Sequence, residues 1–418
     1  MILGTGGPGP GLLAASLTAL ARVTWLYDAR DLRDPARELA VMRSAGRAVE
    51  VRPGGHLAAA AAVHGVDRFD GVLTFAESSL RIGAVISEEL VLKSNSAATV
   101  EHLTNKHLQR LALAEAGLPG PRFQPVHSAE GIDQALRRVG LPAVLKPIRG
   151  AGGALTTLIS SAEEIRSAWA VASSVLGGLD GEQGAHRLLA DTATPHMLLE
   201  ELLVGRGWHE DTRYGDCVSV DSLTADGMTE HLAVSDRLPL TSGVRENGQI
   251  YPSVLPGELL AEITAMAEVG LRVLGVTDGM TQTKIKLTEA GPRIIEINGR
   301  PASGLWTTVR EASGYDVIAE AAKVALRLET GARPEFAGYT AMLTPCLDAG
   351  LADRHVEVTL DGVFEQRPGV HGVRALHSGT VDLSLDSGHA LAAWVSGPTP
   401  ESIHDHVSAL RQAIRISM

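Results

Sequence analysis

Apolar and polar positions fall along the chain in blocks that read as the strands and helices of a mixed α/β protein. Near the start, Val23-Thr24-Trp25-Leu26-Tyr27 is an apolar run ending at Asp28, and Gly71-Val72-Leu73-Thr74-Phe75 is another, followed by Ala76-Glu77. Both have the length and the β-branched or aromatic content of buried strands. With a helical pattern from Leu12 to Ala21, they predict a small doubly wound sheet over residues 1–95. After Ser94-Asn95-Ser96, the spacing of Val100, Leu103, Leu108, Leu111 and Ala112 predicts one helix, closed by Gly117 and Pro119. From Arg122 to Leu203 the order is strand, helix, strand, glycine loop, helix, strand. Alternation over Tyr214–Leu223 then meets Asp226-Gly227, a hairpin turn into Thr229–Val234. Ser235–Pro256 has little periodicity and is predicted as loop, and a helix over Glu258–Val273 leads to two strands, the second ending near Asn298. Beyond it come a tight loop at Pro301-Ala302-Ser303-Gly304 and a helical region over Glu311–Thr330. Short strands follow at Tyr339–Leu343, Val356–Leu360, Gly379–Leu383 and Ala390–Val395, with a helix over Pro400–Ile414. No repeat, low-complexity tract or heptad array interrupts this order.

Composition narrows the function classes. At 418 residues the chain exceeds one ordinary domain, and 44% hydrophobic with 21% charged residues supplies ample core. A net charge of −12 argues against nucleic acid or an anionic membrane as the main partner, because both are met by clustered Lys and Arg. Any anionic ligand must be met by local positive charge. Two cysteines, Cys217 and Cys346, make no disulfide framework. Without a basic-then-apolar leader or a long uncharged apolar run, the expected location is the cytoplasm.

The chemistry concentrates at strand ends. In Ile294-Ile295-Glu296-Ile297-Asn298-Gly299-Arg300, alternation puts a carboxylate, an amide and a guanidinium on one face. The first two suit a hard cation such as Mg²⁺ and the third an anion, a combination that describes phosphoryl transfer to a carboxylate. Lys146 follows an apolar run and precedes Pro147, so it lies in a strand with buried neighbours. A lysine there needs an anionic partner, and nucleotide phosphate is the simplest. Gly150-Ala151-Gly152-Gly153 follows, letting backbone amides approach a phosphate. Glu200 and Glu201 close another strand, where solvated acids are the ordinary finding. The glycines from Gly4 to Gly11, with Asp28 further on, fit a dinucleotide fingerprint or a plain tight turn; Pro8 and Pro10 remove amide donors and favour the turn.

Taken in order and spacing, Asn105-Lys106, Lys146 with its glycine loop, Glu200-Glu201-Leu202-Leu203 and Glu296-x-Asn298-x-Arg300 resemble the ATP-grasp superfamily, in particular its amino-acid ligases and carnosine synthase-like enzymes. The resemblance covers nearly the whole chain and is strongest from Asn105 to Gly304. It implies an amino-terminal doubly wound α/β domain (1–95), a two-lobed ATP-grasp domain (96–330, with lobe one about 122–203 and lobe two about 204–330) and a carboxy-terminal β-rich cap (331–418). It also implies ATP and Mg²⁺ as cofactors, and small-molecule carboxylate and amine substrates joined through an acyl phosphate. No nucleic acid or membrane partner is implied, and a homodimer comes into view because dimers are common among relatives. Carried over residue by residue, Lys106 and Lys146 meet ATP phosphates, Gly150, Gly152 and Gly153 close over them, and Glu200, Glu201, Leu202 and Leu203 line the adenine. Glu296 and Asn298 hold the metal. Arg300 meets the acyl phosphate or substrate carboxylate, with Gly304 beside it and Glu246 as a candidate contact for an amino group.

The chain departs from the family in two places. The usual ribose glutamate is Gly207 here, leaving His209, Glu210 or Asp216 as substitutes. A histidine and an acidic metal ligand are replaced by Gln282 and Lys284. Three readings of Lys284 stand open: it points away, its ammonium replaces one metal, or catalysis is lost. Beside the ligase, the alternatives are therefore a bicarbonate-using carboxylase of the same superfamily and a nucleotide-binding protein with a disabled metal site. Nicotinamide redox chemistry rests on the amino-terminal glycines alone.

Overall fold

A computed structural model describes residues 1–4, 7–52, 54–150, 152–178, 196–241, 244–374, 376–381 and 388–418. The first three strands, β1 (Ile2–Leu3), β2 (Val23–Tyr27) and β3 (Gly46–Glu50), form a parallel sheet in that order. Helices Pro10–Leu17 and Pro35–Ala45 cross between them. The expected strand Gly71–Phe75 is reduced to a single bridge between Leu73 and Ile2. Its neighbour β1 offers only two residues, so Leu73 exchanges one pair of backbone bonds with Met1 and Leu3 and the ladder goes no further. Glu77 follows in a short 3₁₀ turn, Glu77–Ser79.

The single helix expected after Ser96 is two helices, Ala97–Thr104 and Lys106–Glu115. Asn105 breaks the run with extended backbone and caps the second helix, its side-chain oxygen accepting from the amides of His107 and Leu108. The break makes Lys106 the first residue of a helix rather than a point on the side of one.

Strands β4 (Phe123–Val126), β5 (Ala143–Pro147), β6 (Thr157–Ile159) and β7 (Met197–Glu201) form an antiparallel sheet in the order β4-β7-β5-β6. Helices Ile132–Val139 and Ala162–Gly178 cover it over a core that includes Leu145, Ile159, Ile165 and Leu199. The remaining strands are β8 (Cys217–Ala225), β9 (Met228–Arg237), β10 (Gly248–Tyr251), β11 (Gly279–Thr288), β12 (Gly291–Asn298), β13 (Tyr339–Leu343), β14 (His355–Leu360), β15 (Val370–Arg374), β16 (Ser378–Thr380), β17 (Ala392–Gly397) and β18 (Ile414–Ser417). Eight of them make one antiparallel sheet, β12-β11-β8-β9-β10-β13-β17-β15, and three make a small one, β16-β14-β18. The large sheet thus runs past residue 330, taking up three strands of the carboxy-terminal segment. Strand β10 lies within the stretch expected to be loop. All four of its residues are buried between β9 and β13, so it carries no alternation. The expected Glu311–Thr330 helix is two helices, Leu305–Ser313 and Val317–Ala325, and Leu383 of the expected Gly379–Leu383 strand lies outside the described residues.

One irregularity governs the site. The β11–β12 ladder runs Lys286 with Arg293 and Ile285 with Ile294, then steps over Ile295 so that Lys284 stands opposite Glu296. This bulge turns Ile294 and Ile297 both into the core, each 1% exposed, while Glu296 and Asn298 face the other way.

Candidate functional site: a buried charge cluster between two sheets

Six positions on three neighbouring strands place the central side chains. Across β11, Lys284 is opposite Glu296 on β12 and Ser219 on β8, and Gln282 is opposite Asn298 and Asp221. Directly opposed residues share a face, so Lys284 does not point away: its ammonium lies 3.1 Å from Glu296 and 2.9 Å from Glu246. Glu246 also receives Arg237 Nη1 at 3.0 Å, and Arg237 donates twice more to Ser219 Oγ, at 2.7 and 3.2 Å. The two Glu246 oxygens are therefore occupied by Lys284 and Arg237 where a substrate amine was expected. Burial alone would raise both carboxyls. Lys284, then Lys106 and Lys146, hold Glu296 well below the usual range, and Arg237 with Lys284 holds Glu246 at about 2.

The two lysines expected at phosphates reach the same cluster from the other side. Lys106, at the first turn of its helix, donates to Gly150 O at 2.7 Å, which ties it to the glycine loop. Burial lowers its pKa, with Glu296 opposing. Gly152 and Gly153 adopt φ of +70° and +77°, which L residues rarely adopt, while Ala151 lies outside the described residues. Lys146 finds its anionic partner within the protein: Glu200 Oε2 at 2.6 Å. Glu200 is shared with Arg110, whose Nε lies 2.6 Å from Oε1, and the pair holds its pKa at about 2 against burial. Arg110 also donates to the carbonyls of Ile294, at 3.1 Å, and Ile295, while Gln109 exchanges two bonds with the Ile297 backbone. The helix carrying Lys106 thereby clips β7 to the bulged strand.

Of the remaining residues expected at the adenine, Glu201 pairs with Arg122 at 3.1 Å and Leu202 donates its amide to Pro142 O. Leu203 leads to Val204, a large apolar residue that is 71% exposed. Asp216 binds Lys286 at 2.6 Å and packs on Gly205, where a Cβ would fall 1.7 Å from its oxygen; His209 stacks on Tyr214.

Arg300 follows β12 and pairs with Glu77, in the 3₁₀ turn of the amino-terminal segment, at 3.1 Å. Burial raises the Glu77 pKa, with Arg300 and Lys106 opposing. The loop beside Arg300 is held from beneath. Asp221 accepts from the Ala302 amide at 3.2 Å and the Tyr251 hydroxyl at 2.8 Å, and Gln249 donates to Ser303 O at 2.9 Å. Gly304, at φ +77°, starts the next helix where a Cβ would strike Met342 Sδ at 2.3 Å. Sequence reasoning missed Glu77, Arg110, Arg237, Asp221 and Gln249 as parts of this cluster; charged or amide residues within otherwise buried strands and helices were their only signal.

Asp221 yields a pH test. Burial raises its pKa from 3.8 to about 6, despite the Tyr251 and Ala302 bonds. Between those values the folded chain holds more protons than the unfolded one, so stability falls as pH rises through this window, by roughly 3 kcal/mol in all. Asp221→Asn is expected to gain on the wild type across pH 4–6 and to keep a constant lead above it, read as denaturant midpoints at each pH. Glu200 and Glu246 act in the opposite sense and lower down, losing stability as pH falls from about 4.5 towards 2.

A hard cation finds two oxygen donors here, the Glu296 carboxylate and the Asn298 amide. Among the described residues no group of three or more His, Cys, Asp or Glu could hold a metal. The donor set fits one cation whose shell is completed by phosphate oxygens and water, and not a second one held by protein.

A solved L-amino acid ligase from Bacillus licheniformis superimposes on 100% of this chain and 98% of its own, with a TM-score of 0.81 at 19% identity. The chain has the ATP-grasp fold. A more distant ATP-grasp structure, the biotin carboxylase domain of a Hydrogenobacter thermophilus 2-oxoglutarate carboxylase solved with MgADP and bicarbonate, covers 100% of this chain and 90% of its own at a TM-score of 0.69 and 15% identity. Among curated sequences, alanine–anticapsin ligase of Bacillus subtilis is 27% identical over 261 residues, 61% of this chain and 53% of that protein. The chain spans about half the length of the first curated relatives it matches. No protein-family model matches it. No helix among the described residues is long and apolar enough to cross a membrane.

Proposed function

We propose that this ATP-grasp chain is an ATP-dependent carboxylate:amine ligase that forms an amide or peptide bond, with an amino acid as one substrate. The observation that carries the reading is the convergence of Lys106, Lys146 and the Glu296–Asn298–Arg300 strand end on one buried cluster, where Glu296 is held ionised by both lysines as well as by Lys284. In this reading the carboxylate attacks the terminal phosphorus of ATP, the bond to the bridging oxygen breaks, and an acyl phosphate and ADP result. An amine then attacks the acyl carbon, phosphate leaves, and the amine gives up a proton. Mg²⁺, held by Glu296 and Asn298, supplies charge neutralisation on the phosphate oxygens. The chain positions the rest. Lys106 and Lys146 meet the triphosphate, with Glu200 as the buried anion that orients Lys146. The loop from Gly150 to Gly153 closes over the phosphates and excludes water. Leu202 and Leu203 line the adenine, and Asp216 stands nearest the ribose role. Arg300 exchanges Glu77 for the substrate carboxylate or acyl phosphate, on a loop fixed by Asp221 and Gln249. We assign residues 1–95, 96–330 and 331–418 as its three domains, the large sheet continuing across the second boundary, and the cytoplasm as its place of action.

The test is ADP and phosphate release from MgATP across amino acids and small carboxylic acids paired with amines, with mass spectrometry of each positive mixture. Release that needs both an acid and an amine, with a condensed product of the two, is expected. Release that needs bicarbonate instead, with a carboxylated product, would overturn the reading in favour of a carboxylase.

A further inference from the structure

The geometry points to Lys284 as a resident cation of the triphosphate site, standing where a second divalent ion would otherwise sit, so that nucleotide is bound with one metal ion per chain. This rests on the nucleotide-binding half of the ligase reading, and three observations carry it.

The ammonium is fixed in place. Lys284 lies between Glu246 and Glu296, at 2.9 and 3.1 Å, and Glu246 is itself held by Arg237, which is held by Ser219. Swinging Lys284 out would strip both part-buried carboxylates of their nearest cation, which favours keeping it where it is. Among the described residues of the cluster, the carboxylate oxygens that a second metal would use are taken as well: both Glu246 oxygens are paired with Lys284 and Arg237. Lys284 and the Asn298 amide nitrogen both approach Glu296 Oε1, at 3.1 and 3.4 Å, which leaves Oε2 and the Asn298 carbonyl oxygen as the pair for a metal.

Charge gives the third argument. Carboxylates Glu77, Glu200, Asp221, Glu246 and Glu296 face six cationic side chains, those of Lys106, Arg110, Lys146, Arg237, Lys284 and Arg300, gathered by ion pairs, by the Lys106 bond to the glycine loop and by the Asp221 bond to the loop beside Arg300. One positive charge is left over. An acid at position 284 would leave one negative charge, so the lysine changes the site by two units, which is the charge of one divalent cation. A site with Lys284 and one metal therefore offers a triphosphate the same total charge as a site with an acid and two. The ammonium also donates hydrogen bonds to phosphate oxygens, as a metal-bound water would.

The experiment titrates the full chain with Mn²⁺ in the presence of a non-hydrolysable imido analogue of ATP, and counts bound Mn²⁺ by its electron paramagnetic resonance signal. One bound ion per chain is expected for the wild type and two for Lys284→Glu. Lys284→Met keeps one ion and loses analogue affinity by on the order of tenfold to a hundredfold, the effect of one charge in a partly screened site. Two ions on the wild type, or unchanged affinity in Lys284→Met, would overturn the assignment while leaving the ligase reading intact. Should Lys284→Glu fail to fold, the wild-type count and the methionine variant still decide. A wild type that binds no analogue at any Mn²⁺ concentration overturns the nucleotide reading and this assignment with it.

Discussion

Arg110→Ala is expected to destabilise the chain by about 3–5 kcal/mol at neutral pH, the usual result of removing one partner from a buried charge network. Arg110 and Glu200 are 4% and 6% exposed at their side chains, so the remaining Lys146 cannot be helped by water. The variant also orphans the Ile294 and Ile295 carbonyls. A loss of that size is a large part of the total stability of an ordinary domain. Denaturant unfolding measures it directly. Acid supplies an internal control: the Glu200 carboxyl stands at about 2 when paired, against 4.5 ordinarily, so the wild type holds this advantage above pH 4.5 and loses it as pH falls towards 2. The gap between wild type and Arg110→Ala should narrow over that window. A gap under 1 kcal/mol at pH 7 would show that the triad does not bind the lobes together.

Glu296→Gln is expected to lower kcat for ADP release by on the order of a thousandfold, and to cost stability at neutral pH as well, because the charge it removes is the one that three lysines hold ionised. The amide keeps the shape and the coordinating oxygen but removes the charge that answers Lys284, Lys106 and Lys146. Those cations then repel a metal ion from the place where it must neutralise the moving phosphoryl group, and losses of this size attend the removal of such electrostatic groups. The variant should also need far more Mg²⁺ for half-maximal rate. Turnover within tenfold of the wild type at the same Mg²⁺ would remove Glu296 from the machinery. Steady-state kinetics over a Mg²⁺ series distinguishes the outcomes.

Much of this architecture was legible in the sequence because local pattern and final fold agree. Strands β2 and β13 fall on Val23–Tyr27 and Tyr339–Leu343 as expected, and the Asp226-Gly227 turn joins β8 to β9, with φ of +52° and +78°. The failures have physical causes. Asn105 carries no helix-breaking signature inside an apolar period; its capping bonds exist only once the chain has already turned. Strand β10 has no polar face to show, and the pairing of β13 with it joins residues far apart in the sequence. At the site, Lys146 was legible as a buried cation, but its partner Glu200 was read as part of an adenine segment, since nothing local says which of two adjacent acids turns inward. Lys284 was legible as a departure. Its direction depended on the bulge: a regular hairpin counted back from the Glu289-Ala290 turn would set Lys284 against Ile295 and leave Glu296 on the side of Ile294.

That single extra residue has a consequence for how the molecule assembles. In an isolated β11–β12 hairpin the carbonyls of Ile294 and Ile295 would turn to water, and nothing would favour the shifted register over the regular one. The arginine that captures both carbonyls lies more than 180 residues earlier in the chain, on a helix that must also dock on β7. The register that sets Glu296 against Lys284 is therefore held from two directions outside the hairpin, by the arginine on its carbonyls and by the helix Gly257–Val273, against which Ile294 and Ile297 pack. Without those contacts the acid and the lysine at the centre of the cluster would have no fixed relation.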